Sequence, residues 1–281
     1  MKSKLFYAVA GLLLLMTGVS VFLYFTNEGV ATEFDQLVRQ PRPNRFYVGV
    51  DVSATIEQQT LDDLKNNIIS RLRHFIGDKA VSYSISAFGN PGCGELSVKQ
   101  IVSERSPADD SEFSWEVEKK IETVKAAEAP KSGKPLTTPL YYLLEKILPE
   151  NTGGRIIIFS DLMNDDSECP KQYIFPEEAV AKFGADKNGQ LVFIYPTPVL
   201  TSTPEFNERI MKRQQDFIEK MQDLLMAGKV RAFFYHIPDD SEKRSGFIKS
   251  QLENSIPVTK FEIVRERTYK VIDTIVSAVR G

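Results

Sequence analysis

Three segments of the chain each deliver side chains whose oxygen atoms can bind a hard cation. An apolar stretch in FYVGVDVSAT is followed by Asp51, Ser53 and Thr55 at alternate positions. The segment KPLTTPLYYLL contains Thr138, and RIIIFSD ends in Asp161. Carboxylate and hydroxyl oxygens with no nearby histidine or cysteine suit Mg²⁺, Mn²⁺ or Ca²⁺ rather than zinc or copper. These residue types predict a magnesium-type site, provided that the fold brings the three segments together.

The elements around these segments alternate between strands and helices. Apolar segments predict strands at 46–52, 80–88, 96–103, 155–160, 230–237 and 261–264. Helical spacing predicts helices at 61–76, 111–127, 139–148, 205–226, 246–252 and 267–279, with Ser111 as an N-cap. Such alternation predicts an α/β domain with a mostly parallel sheet covered on both faces. The turn GNPGCGE predicts a hairpin between the second and third strands.

This topology predicts that the oxygen-bearing segments meet at one edge of the sheet. Ligands of open parallel α/β sheets bind beyond the carboxyl ends of the strands. Side chains at alternate strand positions point the same way, so Asp51, Ser53 and Thr55 can be gathered around one point. Asp161 follows the apolar central strand, and Thr138 precedes a helix that is entered through Pro139.

The three motifs resemble the von Willebrand factor A (vWA) domain family and its metal-ion-dependent adhesion site. The family has Asp-x-Ser-x-Ser after strand one, Gly-Gly-Thr-Pro-Leu-Tyr in a later loop, and Leu-Thr-Asp-Gly after the fourth strand. The matching segments here are DVSAT, TTPLYYLLEKI and IIIFSDLMND, and KFEIVRERTYKVIDTIVSAV is similar to the family's last strand and helix. Thr55 replaces the third-position serine, and the segment at about 162–228 is longer than usual.

The resemblance implies a Rossmann-like, doubly wound, mostly parallel sheet with one antiparallel edge strand. It also implies that the metal ligands are Asp51, Ser53, Thr55, Thr138 and Asp161. In the family the hydroxyls contact Mg²⁺, Mn²⁺ or Ca²⁺, and the aspartates act partly through water. A partner protein supplies a carboxylate to the open metal position. The expected function is therefore metal-dependent protein–protein interaction or complex assembly, without catalysis.

Several alternatives remain open at the level of sequence. Asp51 is also suited to cap a following helix, and Thr137 is an alternative ligand to Thr138. A vWA-like module with a degenerate, metal-free site is a second possibility. A phosphatase of the haloacid dehalogenase type is a third, because its first strand ends in Asp-x-Asp-x-Thr. Ser53 replaces the second aspartate of that pattern, which is the general acid–base there.

The N-terminus predicts a membrane anchor. Residues 5–25 carry no charge and are long enough to span a bilayer of about 30 Å as a helix. Lys2 and Lys4 favour a cytoplasmic N-terminus, which places the C-terminal body in the periplasm or outside the cell. We therefore predict a single-pass signal anchor at 1–26, a linker at 27–44 and a vWA-like domain at 45–281. A cleaved signal peptide is the alternative.

The composition and net charge indicate a globular domain and give no reason to expect nucleic acid as a partner. The chain has 281 residues, a net charge of −3, 42% hydrophobic residues and 26% charged residues. This composition is typical of a globular domain with a full core. There is no basic excess of the kind that attracts nucleic acid, so none is expected as a partner.

The chain has two cysteines, Cys93 and Cys169. With the family's strand order 3-2-1-4, their loops leave the same edge of the sheet, about 10 Å apart at the strand ends. Both loops are rich in glycine, proline, aspartate and serine, and can lean inward to the 7 Å that a disulfide needs. Export would preserve the bond, which would then brace the rim of the metal site. Two unpaired thiols are the alternative.

Overall fold

The computed structural model describes residues 45–79, 81–105, 107–127, 137–186, 189–198 and 204–256. Its strands are β1 (Arg45–Asp51), β2 (Ser82–Phe88), β3 (Val98–Arg105), β4 (Arg155–Phe159), β5 (Gln190–Tyr195) and β6 (Ala232–His236). Its α-helices are α1 (Gln58–Leu72), α2 (Asp110–Phe113), α3 (Lys119–Glu122), α4 (Leu140–Glu150), α5 (Glu177–Gly184), α6 (Pro204–Met226) and α7 (Ser241–Ser255).

These strands form one sheet in the order β3-β2-β1-β4-β5-β6. β1 pairs in parallel with both β2 and β4, and β5 and β6 extend the parallel part. β3 is the antiparallel edge strand beside β2. The predicted α/β class, with a mostly parallel sheet and one antiparallel edge strand, is confirmed. Since β1 and β4 are neighbours, Asp51 and Asp161 leave the sheet side by side.

The sheet is the middle of three layers because its central strands are apolar on both faces. All five residues of β4 are buried, with Ile157 and Phe159 in one core and Ile156 and Ile158 in the other. The first core includes residues of α1, α2, α3 and α7. The second includes residues of α4, α5 and α6. Continuous apolar runs of this kind are expected in parallel strands covered by helices on both faces.

The segment between β4 and β6 is not a single long connection. It contains α5, β5 and α6, and β5 pairs along its length with β4. The apolar segment LVFIYP therefore supplies an additional sheet strand. This placement matters for the site, because it lets α6 pack near the end of β4.

Two local details differ from the sequence predictions. The N-cap of α2 is Asp109, whose carboxylate accepts a hydrogen bond from the Glu112 backbone N–H at 2.9 Å, so the prediction of Ser111 was wrong. An aspartate oxygen can reach the backbone N–H three residues later, which is the usual capping geometry. A π-helical turn at Ser114–Glu118 then interrupts the predicted continuous helix before α3.

The predicted N-terminal anchor, the linker and the last predicted strand and helix lie outside the described residues. Within the described part of the chain, no helix has the length and apolar character needed to cross a membrane. The described residues belong to one compact unit.

Candidate metal centre

Asp51 is the last residue of β1 and is fully buried. Its Oδ1 accepts a hydrogen bond from the Ser53 backbone N–H at 2.8 Å, and its Oδ2 accepts one from Ser160 Oγ at 2.7 Å. The N-cap position of the following helix is instead Glu57. Asp51 therefore joins the ends of β1 and β4, and the alternative in which it caps that helix was wrong.

The hydroxyls of Ser53 and Thr55 connect the first loop to Asp161. Their oxygens are 3.0 Å apart, and Thr55 Oγ1 donates a hydrogen bond to Asp161 Oδ2 at 2.5 Å. Four of the five predicted ligands therefore form one chain of hydrogen bonds, in the order Asp51, Ser53, Thr55 and Asp161. Ser53 and Thr55 lie in the turn that follows β1; the Thr55 hydroxyl contacts Asp161 directly, and the Ser53 hydroxyl contacts that of Thr55.

The backbone after β4 is unusual in a way that keeps the Asp161 side chain in place. Leu162 is the only described residue other than glycine with a positive φ, at 64°. Its backbone N–H is hydrogen-bonded to Ser160 Oγ at 3.0 Å, and its side chain is completely buried. Met163 N–H donates to Asp161 Oδ1 at 3.2 Å. Left-handed conformations of such residues persist only where packing enforces them, and they concentrate at functional sites.

Thr138 reaches the site from the loop before α4. It forms an isolated antiparallel bridge with Asp165: the Thr138 N–H lies 2.8 Å from the Asp165 carbonyl, and the Asp165 N–H lies 2.9 Å from the Thr138 carbonyl. Thr137 instead donates its hydroxyl to the Gly92 carbonyl at 2.7 Å. The Thr138 hydroxyl has no such bond to any described residue, so it is the better placed of the two to contact a ligand.

A cavity of about 290 Å³ opens at this edge of the sheet. The predicted ligands Ser53, Thr55 and Thr138 line one part of it, and α6 lines another with Arg209, Ile210 and Arg213. Asp51 and Asp161 do not line the cavity; both are fully buried and are hydrogen-bonded to residues that do. The hydroxyls are therefore the groups directly available to an incoming ion.

Burial and proximity make the two carboxylates hard to ionise together. Burial raises the pKa of Asp51 to about 6. Burial and then the nearby charge of Asp51 raise the pKa of Asp161 to about 8. No lysine or arginine among the described residues forms an ion pair with either group. Two buried carboxylates without a counter-ion are costly, so the site is electrostatically suited to a cation.

The donor set fits a hard divalent cation. It comprises two carboxylates and three hydroxyls, and Mg²⁺ is bound in proteins by few carboxylates together with several waters. Within the part of the chain that the structure describes, no cluster of three or more histidine, cysteine, aspartate or glutamate side chains could hold a metal. A metal here would therefore depend on hydroxyl and water oxygens as well as on Asp51 and Asp161.

Cys93 and Cys169 form a disulfide with a Cα–Cα distance of 5.7 Å, as predicted. The bond joins the loop between β2 and β3 to the loop after β4. Gly92, next to Cys93, accepts the hydrogen bond from Thr137. The disulfide therefore braces the loops on both sides of Thr138.

Sequence reasoning missed several residues that shape the site. Ser160, which bonds Asp51, directly precedes Asp161 and was visible in the motif FSD. Gly89 follows β2 with a φ of 90° and lies so close that an added Cβ would be 2.8 Å from Ser53 N. Gln214 donates to the Asp161 carbonyl at 2.8 Å, and nothing local in its sequence indicates that contact.

Neither a family model nor a curated protein matches the chain. Among solved structures it is similar to the pilus adhesin SpaC from Lactobacillus rhamnosus GG in its open conformation, with 13% identity and a TM-score of 0.46 over 78% of this chain and 30% of that chain. It is also similar to a mutant of the PilB minor pilin from Streptococcus sanguinis, with 11% identity and a TM-score of 0.40 over 76% of this chain and 62% of that chain. The chain spans less than two thirds of either protein. Likeness at this level does not bear on function.

Proposed function

We propose that this chain is a vWA-like module that binds a protein partner through a divalent metal ion at its adhesion-type site. The observation that carries the proposal is the pair of buried carboxylates, Asp51 and Asp161, which no described cation neutralises and which accept hydrogen bonds from the cavity-lining residues Ser53 and Thr55. Buried charges are normally paired or bound to metal. The strand order beside β1 and β4 supports the same proposal, because it brings the matched motifs to one edge.

Ser53, Thr55 and Thr138 would contact the metal, and Asp51 and Asp161 would balance its charge. When bound, Mg²⁺ or a similar ion would supply a Lewis-acidic position for a carboxylate of the partner. The chain itself holds the hydroxyls in position: Thr55 through Asp161, Ser53 through Thr55, and Thr138 through its bridge to Asp165. No nucleophile or general base is required in this role, so we propose a binding module rather than an enzyme.

We further propose that the module acts outside the cytoplasm, tethered to the membrane by the predicted anchor at 1–26. The Cys93–Cys169 disulfide supports export, because such bonds form and last in oxidising compartments and rarely in the cytosol. A reporter fused after Gly281 should be active only outside the cytoplasm. Activity inside the cell would contradict the orientation deduced from Lys2 and Lys4.

The direct test of metal binding is thermal unfolding of the full-length chain in detergent. Millimolar Mg²⁺ or Mn²⁺ should raise the melting temperature, since a ligand that binds only the folded state stabilises it by about 2.7 kcal/mol at 100 times its dissociation constant. Asp51→Ala should abolish the increase. Asp62→Ala, at a half-buried position on α1 whose carboxylate pairs with Lys65, is the matched control and should keep it.

The alternative of a degenerate, metal-free module predicts the opposite result. In that case the melting temperature of the parent protein would not respond to either metal. A crystal grown with metal would show no ion at the site, and Asp51→Ala would change only the intrinsic stability.

A further inference from the structure

Helix α6 brings two arginines to the mouth of the candidate metal site. Arg209 and Arg213 are one helical turn apart, so they lie on the same face of the helix. Both line the cavity that contains Ser53, Thr55 and Thr138. A ligand entering this cavity therefore meets hydroxyl groups on one wall and guanidinium groups on the other.

The position of these arginines relative to the site is fixed by buried contacts of α6. Gln214, next to Arg213, donates its amide N–H to the Asp161 carbonyl at 2.8 Å and also contacts the Pro196 carbonyl at 3.4 Å. Phe217 and Met221 on the same helix are completely buried in the core beneath. Hydrogen bonds and packing thus tie α6 to Asp161, and the helix carries both arginines at the lining of the cavity.

Arg213 retains the capacity to bind a second anion. Its Nη1 lies 3.0 Å from Asp165 Oδ2, and the two side chains are 44% and 42% exposed. Exposed pairs of this kind contribute only about 0–1 kcal/mol. A guanidinium group has five N–H donors in a planar fork that matches carboxylate geometry. A carboxylate at the mouth can therefore share Arg213 with Asp165 or displace it at low cost.

We infer that the partner of this site is an acidic segment that presents two carboxylates, one for the metal and one for Arg213, with Arg209 adding positive charge beside it. The first contact rests on the proposed function, and the second rests on the arginines of α6. The cavity, at about 290 Å³, lies just below the usual range of ligand pockets, about 300–1,000 Å³. It suits a short peptide segment with its acidic side chains.

The test measures binding of short peptides to the full-length chain by calorimetry, with and without Mg²⁺. The probes are acetyl-Gly-Asp-Gly-Asp-Gly amide and its two single-acid relatives, in which one aspartate is replaced by asparagine. In Mg²⁺ we expect the two-acid peptide to bind roughly tenfold more tightly than either single-acid peptide, the scale of one charge-assisted hydrogen bond. Arg213→Gln should remove this preference, because it removes the guanidinium group that the second carboxylate contacts. Lys212→Gln, at an exposed neighbour that does not line the cavity, is the control and should keep it.

The outcomes separate this inference from the proposed function. Equal affinities for all three peptides, or a preference that survives Arg213→Gln, would overturn the role of the arginines while the metal site stands. The preference for the two-acid peptide could also be the same with and without Mg²⁺ and be lost in Arg213→Gln. That result would support a role for the arginines and contradict the proposed metal site. If Mg²⁺ stabilises the protein but no peptide binds, the inference of an acidic partner is wrong.

Discussion

Thr55 Oγ1 donates a 2.5 Å hydrogen bond to Asp161 Oδ2 across a sequence separation of 106 residues. This contact joins the loop after β1 to the loop after β4. The two strands are parallel neighbours, so their carboxyl ends meet at the same edge of the sheet. The donor is also 3.0 Å from Ser53 Oγ. A single hydroxyl therefore couples a buried carboxylate to the wall of the cavity, which is the arrangement that a bound cation would exploit.

The two adjacent threonines before α4 should respond differently to removal of their hydroxyls. Thr138→Val should abolish or strongly weaken stabilisation by Mg²⁺ with little effect on the metal-free protein, because no described residue accepts its hydroxyl. Thr137→Val should keep the metal response but lower the free energy of unfolding by about 1–2 kcal/mol, because it leaves the Gly92 carbonyl without its partner. Thermal unfolding with and without Mg²⁺ measures both effects. The reverse pattern would make Thr137 the ligand.

The stability of the metal-free protein should fall as the pH rises. The raised pKa values of Asp51, about 6, and Asp161, about 8, lie above the unfolded value of about 3.9. Between about pH 4 and pH 8 the folded state therefore binds more protons than the unfolded state, so the free energy of unfolding decreases with rising pH. These pKa values predict a loss of about 5 kcal/mol between pH 5 and pH 8 in a chelator, measured by chemical unfolding.

Two further measurements check that this pH dependence comes from the candidate site. Asp161→Asn cannot ionise and should remove most of the loss, whereas Asp239→Asn, in a loop away from the site, should leave it unchanged. Mg²⁺ should restore stability at pH 8 more than at pH 5, because protons and metal compete for the same oxygens. An identical pH slope in Asp161→Asn and the parent protein would contradict the assignment.

Much of the fold could be predicted because its signals are local. Apolar runs such as the one in β4 indicate buried parallel strands, and all the predicted strands within the described residues lie in the sheet. The N-cap of α2 and the π-helical turn were not predictable. Each depends on which capping group or packing arrangement is more stable, and the alternatives differ in free energy by only about 1 kcal/mol.

The candidate site was predictable to the extent that its groups follow strands. Asp51 is the last residue of β1 and Asp161 lies two residues beyond β4, so the pairing of these two strands brings the carboxylates together. The contributions of Gln214 and Arg213 depend on where a long surface helix packs after the sheet has formed. The bridge between Thr138 and Asp165 joins two irregular loops and has no periodic signal in the sequence.

The disulfide should contribute both to stability and to metal affinity. The double variant Cys93→Ser/Cys169→Ser should lower the free energy of unfolding by about 2–4 kcal/mol, since it frees a closed loop with a separation of 76 residues. The Mg²⁺ concentration at half-maximal stabilisation should also increase, because the loop that holds Thr137 through Gly92 is no longer tied down. A reductant should reproduce both effects in the parent protein and add nothing in the double variant. If the double variant binds Mg²⁺ as tightly as the parent protein, the disulfide contributes to stability and not to metal affinity.

Gly89 should be irreplaceable for metal binding, and a second glycine provides the control. Gly89 has a φ of 90°, and a Cβ there would lie 2.8 Å from Ser53 N and 3.0 Å from Asp51 Oδ1. Gly228 also has a positive φ, 66°, but nothing lies within 4 Å of its added Cβ. Gly228→Ala should therefore cost about 1–2 kcal/mol of backbone strain and keep the Mg²⁺ response. Gly89→Ala should destabilise the protein more and should abolish the response, because the methyl group displaces the Asp51–Ser53 turn. Thermal unfolding in a Mg²⁺ titration compares the two, and a Gly89→Ala protein with normal Mg²⁺ affinity would show that this turn does not form part of the site.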